Sequence, residues 1–265
     1  MRARTSPRLE ARSDLADWRE EPAYEILHAA DGPALAWEWL RRSSKYRRAA
    51  GAALEQRVDP LWGAPEQVEA FDFGLHRFED PSLGLPHARP LWTAASMRSV
   101  ISAEATRCVA GDDAFSLRSL GKFATVVRSR RRAHILLSDG LSMLRLDVSG
   151  DSPLSGPVTL RYRLEGLRSA RPSIPPLLEF LKLAERGNFR RRPHVSNVRR
   201  QILLLRAFDA LAAGASQRDI AAKLLSPDAA EHRWRIKHSS LKSRAQRLCK
   251  GADRMANGGF WRLLG

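Results

Sequence analysis

The chain has few of the residues that build covalent or catalytic frameworks. Only two of its 265 residues are cysteine, Cys108 and Cys249, and they lie far apart. Two isolated thiols make no disulfide framework and suit a reducing cytoplasm. No run of about 18 apolar residues occurs, so nothing is expected to span a membrane. The first residues, MRARTSPRLEARSDLADW, hold no apolar signal core. Tyrosine occurs only at Tyr24, Tyr46 and Tyr162, none of them after the basic C-terminal helices, where a tyrosine recombinase carries its nucleophile. The seven histidines show no ligand spacing with cysteines or carboxylates. There is no Gly-rich phosphate cradle and no serine elbow, and Asp112-Asp113 lacks the third partner of a two-metal nuclease. The expectation is a cytoplasmic protein that is not an enzyme, with no cofactor and no metal site.

Negative charge is also scarce. Lys+Arg number 45 against 29 Asp+Glu, a net charge of +16, which favours a polyanionic partner. The imbalance is uneven: residues 1–90 carry 13 basic and 15 acidic residues, residues 91–265 carry 32 and 14. The second half is therefore expected to meet nucleic acid, leaving the first half freer to meet protein.

The most specific pattern runs from Ser196 to Gly265, with 14 basic and 5 acidic residues. An apolar helix from Val198 to Ala213 closes at Gly214. Ser216 caps a short helix, with Asp219 placed to complete a capping box. A long basic helix then runs from about His238 to Ala256 and stops at Asn257-Gly258-Gly259. This order reads as a helix-turn-helix DNA reader. At 100° per residue Leu241, Ala245, Leu248, Ala252 and Met255 share one face, with Ser239, Ser243, Gln246, Arg247, Lys250 and Arg254 opposite. Arg and Gln can pair with base edges, and Lys suits phosphates. Ser239, Ser243, Gln246 and Arg247 are the expected base contacts, and Lys242, Lys250 and Arg254 the expected backbone contacts. Gln217 and Arg218, at a helix N-terminus, can meet a phosphate. A merely solvated basic face is the competing reading. About 12 residues, Ser226 to Lys237, separate the last two helices where 3–4 are usual, and Trp234 within them reads as a lid over the core. Arg190-Arg191-Arg192 reads as a hinge or a backbone clamp.

Upstream, residues 1–17 read as a flexible arm, and a helical, interaction-type module is expected over 18–110. Its helix starting at Pro33 runs through PALAWEWLRRSSKYRRAAGAALEQRVD, with Trp18, Trp37, Trp39 and Tyr46 as core-formers. Residues 60–95, rich in Pro and Gly, suggest short extended pieces and turns. Residues 96–120 show no clear period. A second module, 111–265, begins with an antiparallel β-meander over 122–166. There Asp139-Gly140 between apolar runs marks a hairpin with both central residues at positive φ. In LSMLRLDV, Leu144, Leu146 and Val148 alternate with Arg145 and Asp147, as in a half-buried strand. The fold class expected is α+β.

Three stretches together carry a resemblance: ALAWEWLRRSSKYRR, FGLHRFEDPSLGLPHARPLW, and the C-terminal run from LLSDGLSMLRLDV through LRAFDALAAGASQRDIAAKLL to GGFWRLL. They resemble the two-module regulators of proteobacterial integrative and conjugative elements, of the frameshifted-excision-activator type. The resemblance implies a variant helix-turn-helix in which Ser216 to Ala221 open the second helix and Leu241 to Ala256 form the recognition helix. It implies an activator of excision and transfer genes whose partner is promoter DNA. It also suggests an antiactivator protein, which would grip the C-terminal helices; the near-neutral first half is free to touch RNA polymerase. A protein-interaction module and a non-catalytic DNA-processing accessory factor are the alternatives. The sequence leaves the oligomeric state open.

Overall fold

A computed structural model describes residues 16–54, 62–109, 111, 113–189, 197–230 and 239–265. The expected arm (to residue 15), Asp112, Arg190 to Arg192 and Trp234 lie outside the described residues. The α+β class holds: helices occupy both ends of the chain and strands its middle. By contacts the chain divides into two units. One joins residues 1–28 to 196–260; the other comprises 29–195 with 261–265.

The larger unit is built on a six-stranded sheet. In chain order its strands are β1 (Trp62–Pro65), β2 (Ile101–Arg107), β3 (Ala124–Arg128), β4 (Arg132–Ser138), β5 (Met143–Gly150) and β6 (Val158–Arg163). Their spatial order is β1-β3-β4-β5-β2-β6. The expected meander is present as β3-β4-β5, all antiparallel. It is not closed by β6, because β2 inserts parallel to β5 and β6 pairs with β2 instead. A boundary at residue 110 would therefore part β2 from both its neighbours. β2 reads ISAEATR with Ile101, Ala103 and Ala105 buried, but two alanines give too little apolar contrast for the alternation to stand out in the sequence.

The β4–β5 turn is real but differs from the expected one. Four residues connect the strands and only Gly140 has positive φ, at 98°. Asp139 instead accepts hydrogen bonds from the backbone of Leu141 and Ser142, an Asx turn. A Cβ at Gly140 would collide with the Pro86 carbonyl. The helix expected from Pro33 onward is two helices, α1 (Gly32–Leu40) and α2 (Ser44–Leu54), separated by a turn at Arg41–Ser43. Asp31 caps α1 through the Ala34 N–H and also accepts from the backbone of Met143, fixing the helix start to the hairpin. Trp37, Trp39 and Tyr46 are buried core residues, as expected. Glu38, buried in α1, pairs with Arg41 and Arg42. Burial alone would raise its carboxyl; Arg42 and Arg41 outweigh that and hold it at about 2.

One face of the sheet is apolar. Ile135, Leu137, Leu144, Leu146 and Val148 pack with Leu117, Leu120, and Phe180 and Leu183 of α3 (Ile174–Arg186). The other face is polar yet also covered, so β5 is not half-buried: Arg145 is fully buried and Asp147 is 6% exposed. The Arg145 guanidinium donates to the carbonyls of Trp92, Ile135 and Leu146 and to Asp147. Asp147 also takes a bond from His134 at 2.7 Å. Burial opposes its charge, but His134 and Arg145 hold the carboxyl well below the usual carboxylate range.

Candidate nucleic-acid interface

Among the described residues the smaller unit contains three α-helices: α4 (Val198–Ala212), α5 (Gln217–Leu224) and α6 (Ser239–Ala256). α4 is followed by Gly214 at φ 79°, a left-handed stop that a Cβ would strain. α5 begins with the expected capping box: the Ser216 hydroxyl accepts from the Asp219 N–H, and the Asp219 carboxylate accepts from the Ser216 N–H. The Ser216 hydroxyl also donates to that carboxylate, and this bond, with the one from the Ser216 N–H, lowers the Asp219 pKa. Ala221 and Ala245, both without exposed surface, pack in one cluster with Ala229 and Leu241. Small side chains there let α5 and α6 approach closely.

α4 is also held by the start of the chain. Tyr24 donates to the Asp209 carboxylate at 2.7 Å, and Arg206 donates to the Trp18 carbonyl and pairs with Glu21. Trp18 is a core residue of this unit, as expected of it. The first described residues thus belong with the C-terminal helices. The apolar run Ile202 to Leu205 is mostly consumed by this packing: Ile202, Leu204 and Leu205 are buried and Leu203 half-buried.

The faces of α6 separate as the helical period requires. Leu241, Ala245, Leu248 and Ala252 are buried and Met255 is half-buried. Ser239, Ser243, Gln246, Arg247, Lys250 and Arg254 are all exposed, and Lys242 is half-buried at the margin. From Ser239 to Arg254 the row is roughly 22 Å long at 1.5 Å per residue. Among the described residues no carboxylate pairs with Arg247, Lys250 or Arg254. Arg244, which is not among the expected contacts, is exposed at the edge of the row; its position three residues before Arg247 is the signal that could have found it.

The structure brings the α6 residues together and sets Gln217 and Arg218 on a different helix. Gln217 is half-buried. Arg218 braces its own chain, because its guanidinium donates to the carbonyls of Ala229 and Ala230. This ties the 3-10 turn Pro227–Ala230, which begins the expected long connection, back onto α5. Residues 231–238, the rest of that connection, lie outside the described residues.

Among the described residues of the larger unit, Glu66, His76 and His134 bring their ligand atoms within 4.8 Å of one another and form a group whose donors could hold a metal ion. Among the described residues no helix is long and apolar enough to cross a membrane.

Comparison with known proteins agrees with this division of labour. No curated protein and no solved structure matches the chain. Residues 17–69 match the family model described as a proteobacterial transcriptional regulator-like domain. Residues 175–265, which contain α4, α5 and α6, match the model described as "T6SS, Transcription factor, DNA binding domain". The two matches support a DNA-binding transcriptional regulator.

Proposed function

We propose that the protein is a cytoplasmic, sequence-specific transcriptional activator that docks α6 in the major groove of promoter DNA. The observation that carries this reading is the exposed row on α6: hydroxyl, amide and guanidinium donors, without an acidic partner among the described residues, lie over a buried apolar face. Ser239, Ser243, Gln246 and Arg247 would read bases, and Lys242, Lys250 and Arg254 would meet phosphates. Gln217 would offer the start of α5 to the backbone, with Arg218 nearby using the guanidinium N–H groups its carbonyl contacts leave over. The resemblance to regulators of integrative and conjugative elements suggests excision and transfer genes as targets. It also suggests an antiactivator as partner, and the near-neutral first half is free to contact RNA polymerase.

Footprinting on the promoters of such an element, followed by salt titration, tests the reading. Each phosphate contact adds a fixed increment to the salt dependence, so Lys250→Ala should weaken all sequences alike and lower the slope by about one unit. Equal binding by the parent, Lys250→Ala and Arg247→Ala would leave the row merely solvated and overturn the assignment of α6.

A further inference from the structure

The polar face of the sheet holds a cluster that DNA binding does not use. Glu66 follows β1, His76 lies in the segment between β1 and β2, and His134 is on β4. The side chains of His76 and His134 are 8% and 7% exposed, and Glu66 is 24% exposed. The two rings stack, with centroids 3.8 Å apart.

Counting protons shows why this is an unusual arrangement for core histidines. Three ring nitrogens face carboxylate oxygens: His134 Nδ1 faces Asp147 at 2.7 Å, His76 Nδ1 faces Glu66 at 2.7 Å, and His134 Nε2 faces the same Glu66 oxygen at 3.2 Å. Two neutral imidazoles supply only two N–H groups. The third contact, His134 Nε2 to Glu66, therefore sets a ring lone pair against a carboxylate oxygen, with the Ser129 hydroxyl as a further neighbour at 3.3 Å. Arg145 donates to the same Asp147 Oδ1 that faces His134 Nδ1. His76 Nε2 is moreover buried without a hydrogen-bond partner.

We propose that Glu66, His76 and His134 form a binding site for one divalent transition-metal ion of the zinc class. The donors are Glu66 Oε1, His76 Nδ1 and His134 Nε2. Imidazole with carboxylate suits zinc and its neighbours, not calcium or magnesium. Bonds of about 2.0–2.2 Å in tetrahedral geometry set ligand atoms roughly 3.3 Å apart. The Glu66–His134 contact lies close to that value, the Glu66–His76 contact must open by about 0.6 Å, the widest pair of donors must close by about 1.5 Å at most, and the two rings must unstack for both lone pairs to meet the ion. Asp147 completes the logic: by accepting from His134 Nδ1 it directs the lone pair of Nε2 toward Glu66, as carboxylates behind metal-bound histidines do. A bound ion would take the place of the single N–H that serves the two Glu66 contacts and cross-link β4 to the segment between β1 and β2. Its role is structural, separate from the α6 surface.

The test uses the full chain without a polyhistidine tag, stripped with a chelator and titrated with zinc chloride and with cobalt chloride. One equivalent of zinc should bind, cobalt should give the visible absorption of a nitrogen- and oxygen-ligated ion, and zinc should raise the melting temperature. Glu66→Gln and His76→Gln should each weaken uptake at least tenfold while DNA affinity stays unchanged. X-ray absorption of the zinc-loaded parent should show two imidazole ligands, a readout that needs no variant to fold. Absence of stoichiometric uptake by the parent overturns the proposal. So does uptake that is indifferent to both substitutions, or an absorption spectrum without imidazole.

Discussion

Arg145 on β5 and Arg247 on α6 stand in similar local sequence, each spaced among apolar residues, and meet opposite fates. Arg145 is fully buried with its donors spent on three carbonyls and a carboxylate. Arg247 is exposed, with no acidic partner among the described residues. The difference lies in what covers each element. A helix packed by one stripe leaves its other face to water, whereas a central strand has two faces and both here are covered. A guanidinium on a covered face must be satisfied by the protein itself, since an unpaired buried charge costs several kcal/mol. A guanidinium on the open face keeps its donors for another molecule.

Substitutions can break this contrast. The largest effect is expected for Arg145→Ala, which leaves Asp147 without its cation and takes a donor from three carbonyls. Chemical denaturation should show a loss of about 3–5 kcal/mol, and a loss below about 1 kcal/mol would mean the network is ornamental. Leu248→Ala tests the covered side of α6. A truncated buried leucine costs about 2–5 kcal/mol, so melting should fall before any specific change in DNA affinity is seen. The Glu38 pair adds a pH test. Its folded pKa, about 2, lies below the ordinary 4.5, so its contribution is complete above pH 4.5 and drains away as pH falls from 4.5 toward 2. The amount is on the order of 3 kcal/mol. Glu38→Gln should flatten that acid limb, and an unchanged limb would assign acid sensitivity elsewhere. The smallest effect on the fold is expected for Arg247→Ala. It should leave the melting temperature unmoved and cost about 1–3 kcal/mol at the specific site, read by competition binding; equal loss on all sequences would make it a phosphate contact.

What is legible in the sequence follows from range. The faces of α6, the capping box at Ser216 and the four strands between Ala124 and Arg163 are each written within about four residues of themselves, and each is readable. The parallel partner β2 is not, because its pairing with β5 joins residues some 45 positions apart and its alanines carry little contrast. Arg145 and Asp147 read as a solvent face because alternation tells which residues share a side, not whether that side is covered. Glu66, His76 and His134 are too widely spaced to form any local motif; only the fold assembles them. Arg218 illustrates a subtler loss: its position announces an anion site, while its nearest acceptors are carbonyls of its own chain.

The bonds that hold α4 to the start of the chain carry a consequence for biosynthesis. Tyr24 and Asp209 are 185 residues apart, and Trp18 and Arg206 are 188 apart. At roughly 5–20 residues per second a ribosome needs about 10–40 seconds to make the second partner after the first. Throughout that interval Trp18 and Tyr24 have emerged without the helix that will bury them. The helical unit that carries α6 is thus among the last parts to become whole, and a message cut short before codon 209 would yield chains whose opening aromatics are left exposed to chaperones and proteases.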